Sequence, residues 1–235
     1  LALKSVDKQK LGFKSLGVLS NWDKPYLTLS DENLKSNWAT LYNLSLKGLL
    51  EYKQYPVHYC PDCASALASA ELEQKTFEKD DLFFKVKVDN KKYSNLNLLV
   101  WTTTTWTLPM NQAVAYNPNV KLDLYYSENL NEYLLVDSTF DLEQNSNVST
   151  FFVENQFKLE SNNFDVGFFS GLNVDSPFRL EKVPMLPADF VESGKTGFVH
   201  LAFSHGAEDF NLGKKYGYLP KTYLNNYGAF ETENE

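Results

Sequence analysis

The sequence predicts an α+β domain, and three observations carry that prediction. Residues 82–88 alternate, with Phe84, Val86 and Val88 set against Lys85 and Lys87, the period of a half-buried strand. Strand-like runs follow at residues 113–116, 122–126, 133–136 and 151–159, separated by clusters of Asn, Asp, Ser and Pro. Two other stretches carry helix signals instead, one after Ser30 and one at residues 207–216.

Taken in order, residues 1–29 are mixed, with Gly12, Gly17 and Pro25 punctuating short apolar pieces, and predict loops and turns. Ser30 is an N-cap, Asp31 and Glu32 fill a first turn, and Leu34, Trp38 and Leu41 recur at helical spacing up to Gly48. Residues 1–53 therefore read as a segment with one amphipathic helix, set apart from a second domain at residues 54–235. In the latter, Cys60-Pro-Asp-Cys63 leads into a short Ala/Ser-rich helix, and Asp89-Asn90-Lys91 is the turn of a hairpin. Leu98 to Trp101 reads as a buried strand, and the β-branched Thr102, Thr103, Thr104 and Thr105 extend it until Pro109 ends the pairing. The polar residues 141–149 and 161–163 read as mobile loops, Pro184 and Pro187 as the brackets of a turn, and Gly217 as the stop of the last helix.

With 235 residues, 43% of them hydrophobic, the chain can bury a core. No run approaches the roughly 18 apolar residues of a membrane helix, and Leu1-Ala-Leu-Lys-Ser lacks both an initiator Met and a signal core. The expectation is an excised soluble fragment. Two cysteines three positions apart point to a reducing, cytoplasmic setting. A net charge of −8, with Arg179 the sole arginine, argues against a duplex-binding surface, so DNA is excluded and RNA is met only at an end.

Three stretches carry chemistry. In Trp101-Thr-Thr-Thr-Thr-Trp-Thr-Leu-Pro-Met-Asn111, hydroxyls of Thr102, Thr103, Thr104, Thr105 and Thr107 and the Asn111 amide lie within ten residues, each able to donate and accept. Spacing alone leaves two readings, a pocket floor and a Thr-rich edge strand. Cys60 and Cys63 have three: half a zinc site, a redox pair, or two ordinary thiols. His200 and His205, five apart, match no metal signature, and Asp209 by position alone complements a helix dipole. Gly194-Lys-Thr196 is not a phosphate loop, because that motif needs a Gly where Asp189 stands.

The threonine stretch resembles W-T-T-T-P-W-T-L-P-A-N of the editing domain of isoleucyl-tRNA synthetases. Residues 196–210, Thr-Gly-Phe-Val-His-Leu-Ala-Phe-Ser-His-Gly-Ala-Glu-Asp-Phe, resemble that family's G-T-G-x-V-H-x-A-P-x-H-G-x-D-D-Y. Residues 21–29 and 56–68 are similar to the family's entry into the editing insertion, so the resemblance covers about residues 12–230. No Arg follows the threonines, as it does in the valyl and leucyl branches.

The resemblance implies a β-barrel-like editing domain with surrounding helices over residues 54–235, preceded by the helical connector. It implies hydrolysis of valine wrongly esterified to isoleucine tRNA. The expected partners are the tRNA 3′ CCA end and the remaining domains of a parent synthetase, where ATP is used. By the same resemblance Asp209 anchors the substrate ammonium, with Thr103 and Thr104 as its catalytic companions. Trp101, Thr102, Thr107 and Asn111 line the substrate, and His200 limits side-chain size. No catalytic metal or resident cofactor is expected, and Cys60 and Cys63 are at most half a zinc site completed further downstream. Lys195, Phe203, Thr105 and Met110 depart from the pattern. An editing-degenerate connective module, holding the tRNA end without hydrolysis, is the alternative.

Overall fold

The computed structural model describes residues 1–76, 78 and 81–231. Two compact units divide it, Leu1–Gln54 and Tyr55–Glu235. In the first unit, α2 (Asp31–Leu46) follows α1 (Ala2–Ser15). Ser30 caps α2 by accepting the Asn33 N–H at 3.2 Å, and Gly48 leaves it in the left-handed region at φ 68°. The presence of α1 corrects the expectation of loops over residues 2–15, whereas residues 16–29 are turns and irregular backbone as expected. A single Gly costs a helix only about 1 kcal/mol, so Gly12 does not break a stretch rich in Ala, Leu and Lys. Neither helix buries a residue.

The second unit opens with β1 (Tyr59–Cys60) and β2 (Ser65–Ala66), paired antiparallel around Cys60 and Cys63. The short helix expected after them is a single 3-10 turn, Ser69–Glu71. Among the described residues nine further strands form one mixed sheet. They are β3 (Leu82–Lys87), β4 (Leu96–Thr102), β5 (Ala113–Tyr116), β6 (Leu122–Ser127), β7 (Glu132–Asp137), β8 (Phe157–Phe164), β9 (Asn173–Asp175), β10 (Lys182–Pro187) and β11 (Phe198–Leu201). Their order is β8-β6-β7-β4-β11-β5-β10-β9, with β3 on β4 in the expected hairpin. Among the described residues no closed barrel results. Among the described residues the segment just after β3 meets β9 through one bridge, Val88 to Val174, and the Asp89 N–H donating to the Asn173 carbonyl at 2.9 Å. At three residues, β9 is too short to carry a longer ladder.

Four local expectations are overturned. The threonines do not stay extended: β4 ends at Thr102, and Thr105–Met110, Pro109 included, winds into a 3-10 helix. Residues 151–154 belong to α3 (Ser146–Glu154), which also takes in part of the supposed mobile loop. There Val148 and Phe152, four apart, are buried while Val153 is 74% exposed, so helical rather than strand spacing decides. Residues 161–163 lie within β8, paired to β6 across a register shift. Pro184 and Pro187 sit in β10, which exchanges partners from β9 to β5 after Pro184, where a missing N–H is tolerated.

The core lies on both faces of β4. Leu96, Leu98 and Val100 join Leu122, Leu124, Leu135, Phe169 and Phe198 on one side. Leu99 joins Leu134, Val136 and the α3 residues Val148 and Phe152 on the other. A third cluster beneath α4 (Ala207–Lys215) contains Leu201, Phe203 and Leu212. Because Leu98 is wholly buried, Leu98→Ala is expected to cost about 2–5 kcal/mol in denaturant unfolding. Val153→Ala, on exposed α3 surface, is expected to change stability by less than about 0.5 kcal/mol in the same measurement.

Candidate active site

β4 and β11 are parallel neighbours, registered Trp101 to Val199. Their C-terminal ends therefore leave the sheet at the same edge, the usual place for a site in sheets with parallel strands. The loop after β4 carries the threonines, and the loop after β11 leads into α4 and Asp209. A backbone bond from the Gln112 N–H to the Leu201 carbonyl, 2.8 Å, ties the two loops together.

Within the first loop, the Thr102 hydroxyl accepts the Thr104 N–H at 3.1 Å. The Thr104 carbonyl accepts the Thr107 hydroxyl at 2.7 Å, and the Thr107 oxygen lies 3.1 Å from His200 Nε2. Since the Thr107 proton is given to Thr104, its oxygen accepts from His200, whose proton then sits on Nε2. Thr102, Thr107 and His200 are buried; Thr103 is exposed. Asn111 is fully buried and donates to the Ala113 carbonyl at 2.9 Å, so it orders the entry into β5. Trp101 is half-buried with Lys195 Nζ 4.5 Å from its ring centroid.

Asp209, in the first turn of α4, accepts the Ala202 N–H at 2.8 Å. Gly206 lets the carboxylate approach: a Cβ there would stand 3.3 Å from Asp209 Cγ and Oδ1. Burial is the main force on its ionisation and raises its pKa to about 6, against the Ala202 N–H, which lowers it. Burial acts oppositely on His200, whose pKa falls to about 4, so the ring is neutral at physiological pH. The imidazole is therefore a shape and a hydrogen-bonding group, whereas the carboxylate is a charge held at a cost.

The structure thus joins Thr102, Thr104, Thr107 and His200 through one run of hydrogen bonds, and holds Asp209 separately on the Ala202 N–H, two residues beyond His200. Thr103, Trp101 and Asn111 flank that run. Sequence reasoning did not single out the Ala202 N–H and Gly206, because a backbone donor and a missing Cβ leave no motif of their own. Nor did it foresee the group of Met110, Trp106 and His205. His205 Nε2 lies 2.7 Å from Met110 Sδ, and the His205 and Trp106 rings stand edge to face at 5.1 Å.

The departures are accommodated in the backbone. Left-handed angles in the loop before β11 fall on Gly194 and Gly197, both at φ 85°, and not on Lys195. Cys60 and Cys63 are free thiols; hydrogen bonds from the Cys63 backbone N–H and then from its side chain draw Cys60 down, and the side-chain bond to Cys60 pushes Cys63 up from the ordinary thiol range. Among the described residues no group of three or more His, Cys, Asp and Glu side chains is placed to hold a metal, and two thiols alone do not make a zinc site. Concavities of about 380 and 410 Å³ lie elsewhere, under α3 and beside α4, and of the acidic pair in the first turn of α4 only Glu208 reaches one.

These two ionisations have opposite consequences for stability. Asp209 is raised from 3.8 to about 6, so the native state holds the extra proton and stability falls as pH rises across that window. His200 is lowered from 6.5 to about 4, so the unfolded state holds the extra proton and stability rises with pH across nearly the same window. Each effect is of order 2–4 kcal/mol, and they offset. Relative to the unsubstituted chain, Asp209→Asn is expected to gain stability as pH rises from about 4 to 6, and His200→Gln to lose it. Urea unfolding at stepped pH measures both, and parallel curves for all three proteins would contradict the assignment.

Comparison with known proteins bears on the whole chain. Class I tRNA synthetases of the I, L, M and V group match residues 1–144. Isoleucine–tRNA ligases of Francisella tularensis subsp. novicida (strain U112) and subsp. tularensis (strain SCHU S4 / Schu 4) are each 34% identical over 241 residues, covering 97% of this chain. The chain spans 25% of the length of each. Among solved structures, GlLeuRS-CP1 superposes with a TM-score of 0.46 at 17% identity, over 59% of this chain and 65% of that one. The editing domain of the Plasmodium falciparum cytosolic leucyl-tRNA synthetase gives 0.46 at 12% identity, over 58% of this chain and 66% of that one. No helix among the described residues is long and apolar enough to cross a membrane. With the family matched over more than half its length, this chain belongs to the class I tRNA synthetases of the isoleucine, leucine, methionine and valine group.

Proposed function

We propose that this chain is the editing segment of an isoleucine–tRNA ligase, hydrolysing the ester of valine wrongly attached to isoleucine tRNA. The observation that carries the reading is the joining of two distant motifs at one sheet edge, with the Asp209 carboxylate on Ala202 and the neutral His200 on Thr107. The names of the similar ligases support the substrate.

The need is physical, since one missing methylene yields only ~1–3 kcal/mol of discrimination; isoleucyl-tRNA synthetase is itself the standard illustration. A second pocket must sort by size. In the proposed reaction Asp209, ionised above pH of about 6, binds the α-ammonium of the aminoacyl ester. An unpaired buried carboxylate is costly, so the arriving cation relieves that cost and the binding is strong. Thr103 and Thr104 orient the water or stabilise the oxyanion as the ester carbonyl is attacked, and Thr102 and Trp101 close the wall. His200, Thr107 and Asn111 bound the side chain. Water adds to the carbonyl carbon, the ribose oxygen leaves with a proton, and free valine and tRNA result. A neutral His200 is too weak a base to activate the water, so it acts by its volume. The partners in this reading are the tRNA 3′ CCA end and the other domains of the ligase.

The departures at Lys195, Phe203 and Thr105 favour a second reading, a connective module that holds the tRNA end without hydrolysis. Deacylation of valyl-tRNA by the full-length protein, beside an isoleucyl-tRNA control, separates the two.

Asp209→Asn keeps an acceptor for the Ala202 N–H, so it is expected to fold. Losing a charged hydrogen bond costs ~1.5–3 kcal/mol, and valyl-tRNA deacylation is expected to fall at least about tenfold. The unsubstituted rate is expected to rise with pH through about 6 as Asp209 ionises. His200→Ala enlarges the side-chain space, so isoleucyl-tRNA is expected to become a substrate. Retained valyl deacylation in the first variant, or spared isoleucyl-tRNA in the second, would remove the role assigned to that residue.

A further inference from the structure

Phe203 is wholly buried at the end of the loop that carries Ala202. Its ring lies stacked on Tyr218, with centroids 5.6 Å apart at 27°. Its other neighbour is the backbone of α4 at Gly213. A Cβ added to Gly213 would fall 2.7, 2.8 and 3.0 Å from Phe203 Cγ, Cδ1 and Cδ2, closer than such atoms approach one another. Tyr218 is itself returned to this point by its N–H, which donates to the Gly213 carbonyl at 2.8 Å. The ring is therefore seated between the last turns of α4 and the segment that follows Gly217.

Two further contacts connect this seat to the candidate site. Asp209 stands one helical turn before Gly213, and its carboxylate accepts the N–H of Ala202, the residue next to Phe203. The Ala202 carbonyl in turn accepts the His205 N–H at 2.9 Å, which folds the loop back towards Gly206 and the start of α4. The loop and helix thus touch at two points, a charged one at Ala202–Asp209 and an apolar one at Phe203–Gly213. The apolar contact is what a rigid helix needs as its second point of support, since one hydrogen bond fixes a distance but leaves the helix free to pivot.

We propose that the Phe203 ring, seated against the bare backbone of Gly213 and backed by Tyr218, is a positioning clamp that sets the Asp209 carboxylate relative to His200 at the end of β11. The clamp deepens the editing reading and rests on it for its effect on rate. Phe203 and Gly213 touch no reacting atom. They act through the placement of α4, where a misplacement of about 1 Å can cost two orders of magnitude in rate.

The experiment uses the full-length protein with Gly213→Ala, Phe203→Ala and the double variant. Gly213→Ala is expected to lower kcat for valyl-tRNA at least tenfold with KM changed less than threefold. The acid limb of its pH profile is expected to move below that of the unsubstituted protein, as a loosened carboxylate meets water. Added to Phe203→Ala, where the ring is gone, the same substitution is expected to change kcat less than threefold. Hydrogen exchange of the peptide spanning residues 200–216 reads the clamp without any activity: faster in Gly213→Ala than in the unsubstituted protein, and no faster in the double variant than in Phe203→Ala. A protein that shows this exchange pattern but no deacylation retains the clamp and loses the editing reading. If Gly213→Ala does not fold, a double variant that does fold supports the clamp. Unsubstituted kcat and exchange in folded Gly213→Ala, or a double variant no better than Gly213→Ala, overturn it.

Discussion

The parallel pairing of β4 with β11 is the constraint on which the rest depends. Its register, Trp101 opposite Val199, brings together stretches about a hundred residues apart in sequence. Hydrogen-bonded neighbours in a sheet lie roughly 5 Å apart, so whatever leaves their common ends meets. β4 can occupy this central position because it is apolar on both faces: Leu96, Leu98 and Val100 serve one cluster and Leu99 another. A strand with one polar face would have been driven to an edge, and the threonine loop with it.

Burial then does two kinds of work at the strand ends. It strips His200 of its charge, leaving a neutral ring tied to Thr107, and it makes ionisation of Asp209 costly, a cost that the Ala202 N–H partly offsets. The same desolvation pushes the two groups in opposite directions because it disfavours whichever form is charged. Their contributions to stability run in opposite directions over a shared pH range. Backbone supplies what side chains do not. The Ala202 N–H and the open faces of Gly206 and Gly213 let α4 approach the loop closely enough for the carboxylate to be held.

Departures from the family pattern are absorbed in the same manner. Lys195 keeps its backbone out of the left-handed region, which falls to Gly194 and Gly197, and lays its ammonium over the Trp101 ring. Phe203 brings a large ring into the loop, and the glycine in α4 leaves room for it. Thr105 opens a 3-10 helix, where it needs no special angle.

The sequence by itself determined that strands and helices are mixed, the Ser30 cap, the β3–β4 hairpin, most strands and the family. These are local or periodic properties, visible as alternation, caps and ordered motifs. It misjudged residues 151–154 and the Pro184–Pro187 stretch because an apolar run has no direction until something packs on it. Val148 and Phe152 reveal a helix only through the cluster they enter, and β10 tolerates its prolines only because it changes partners. Charge states, the proton on His200 Nε2, the bend of the threonines into a 3-10 helix and the open sheet in place of a barrel were decided by tertiary structure alone. Each depends on a neighbour far along the chain, and burial and hydrogen-bond geometry exist only once those neighbours are in place.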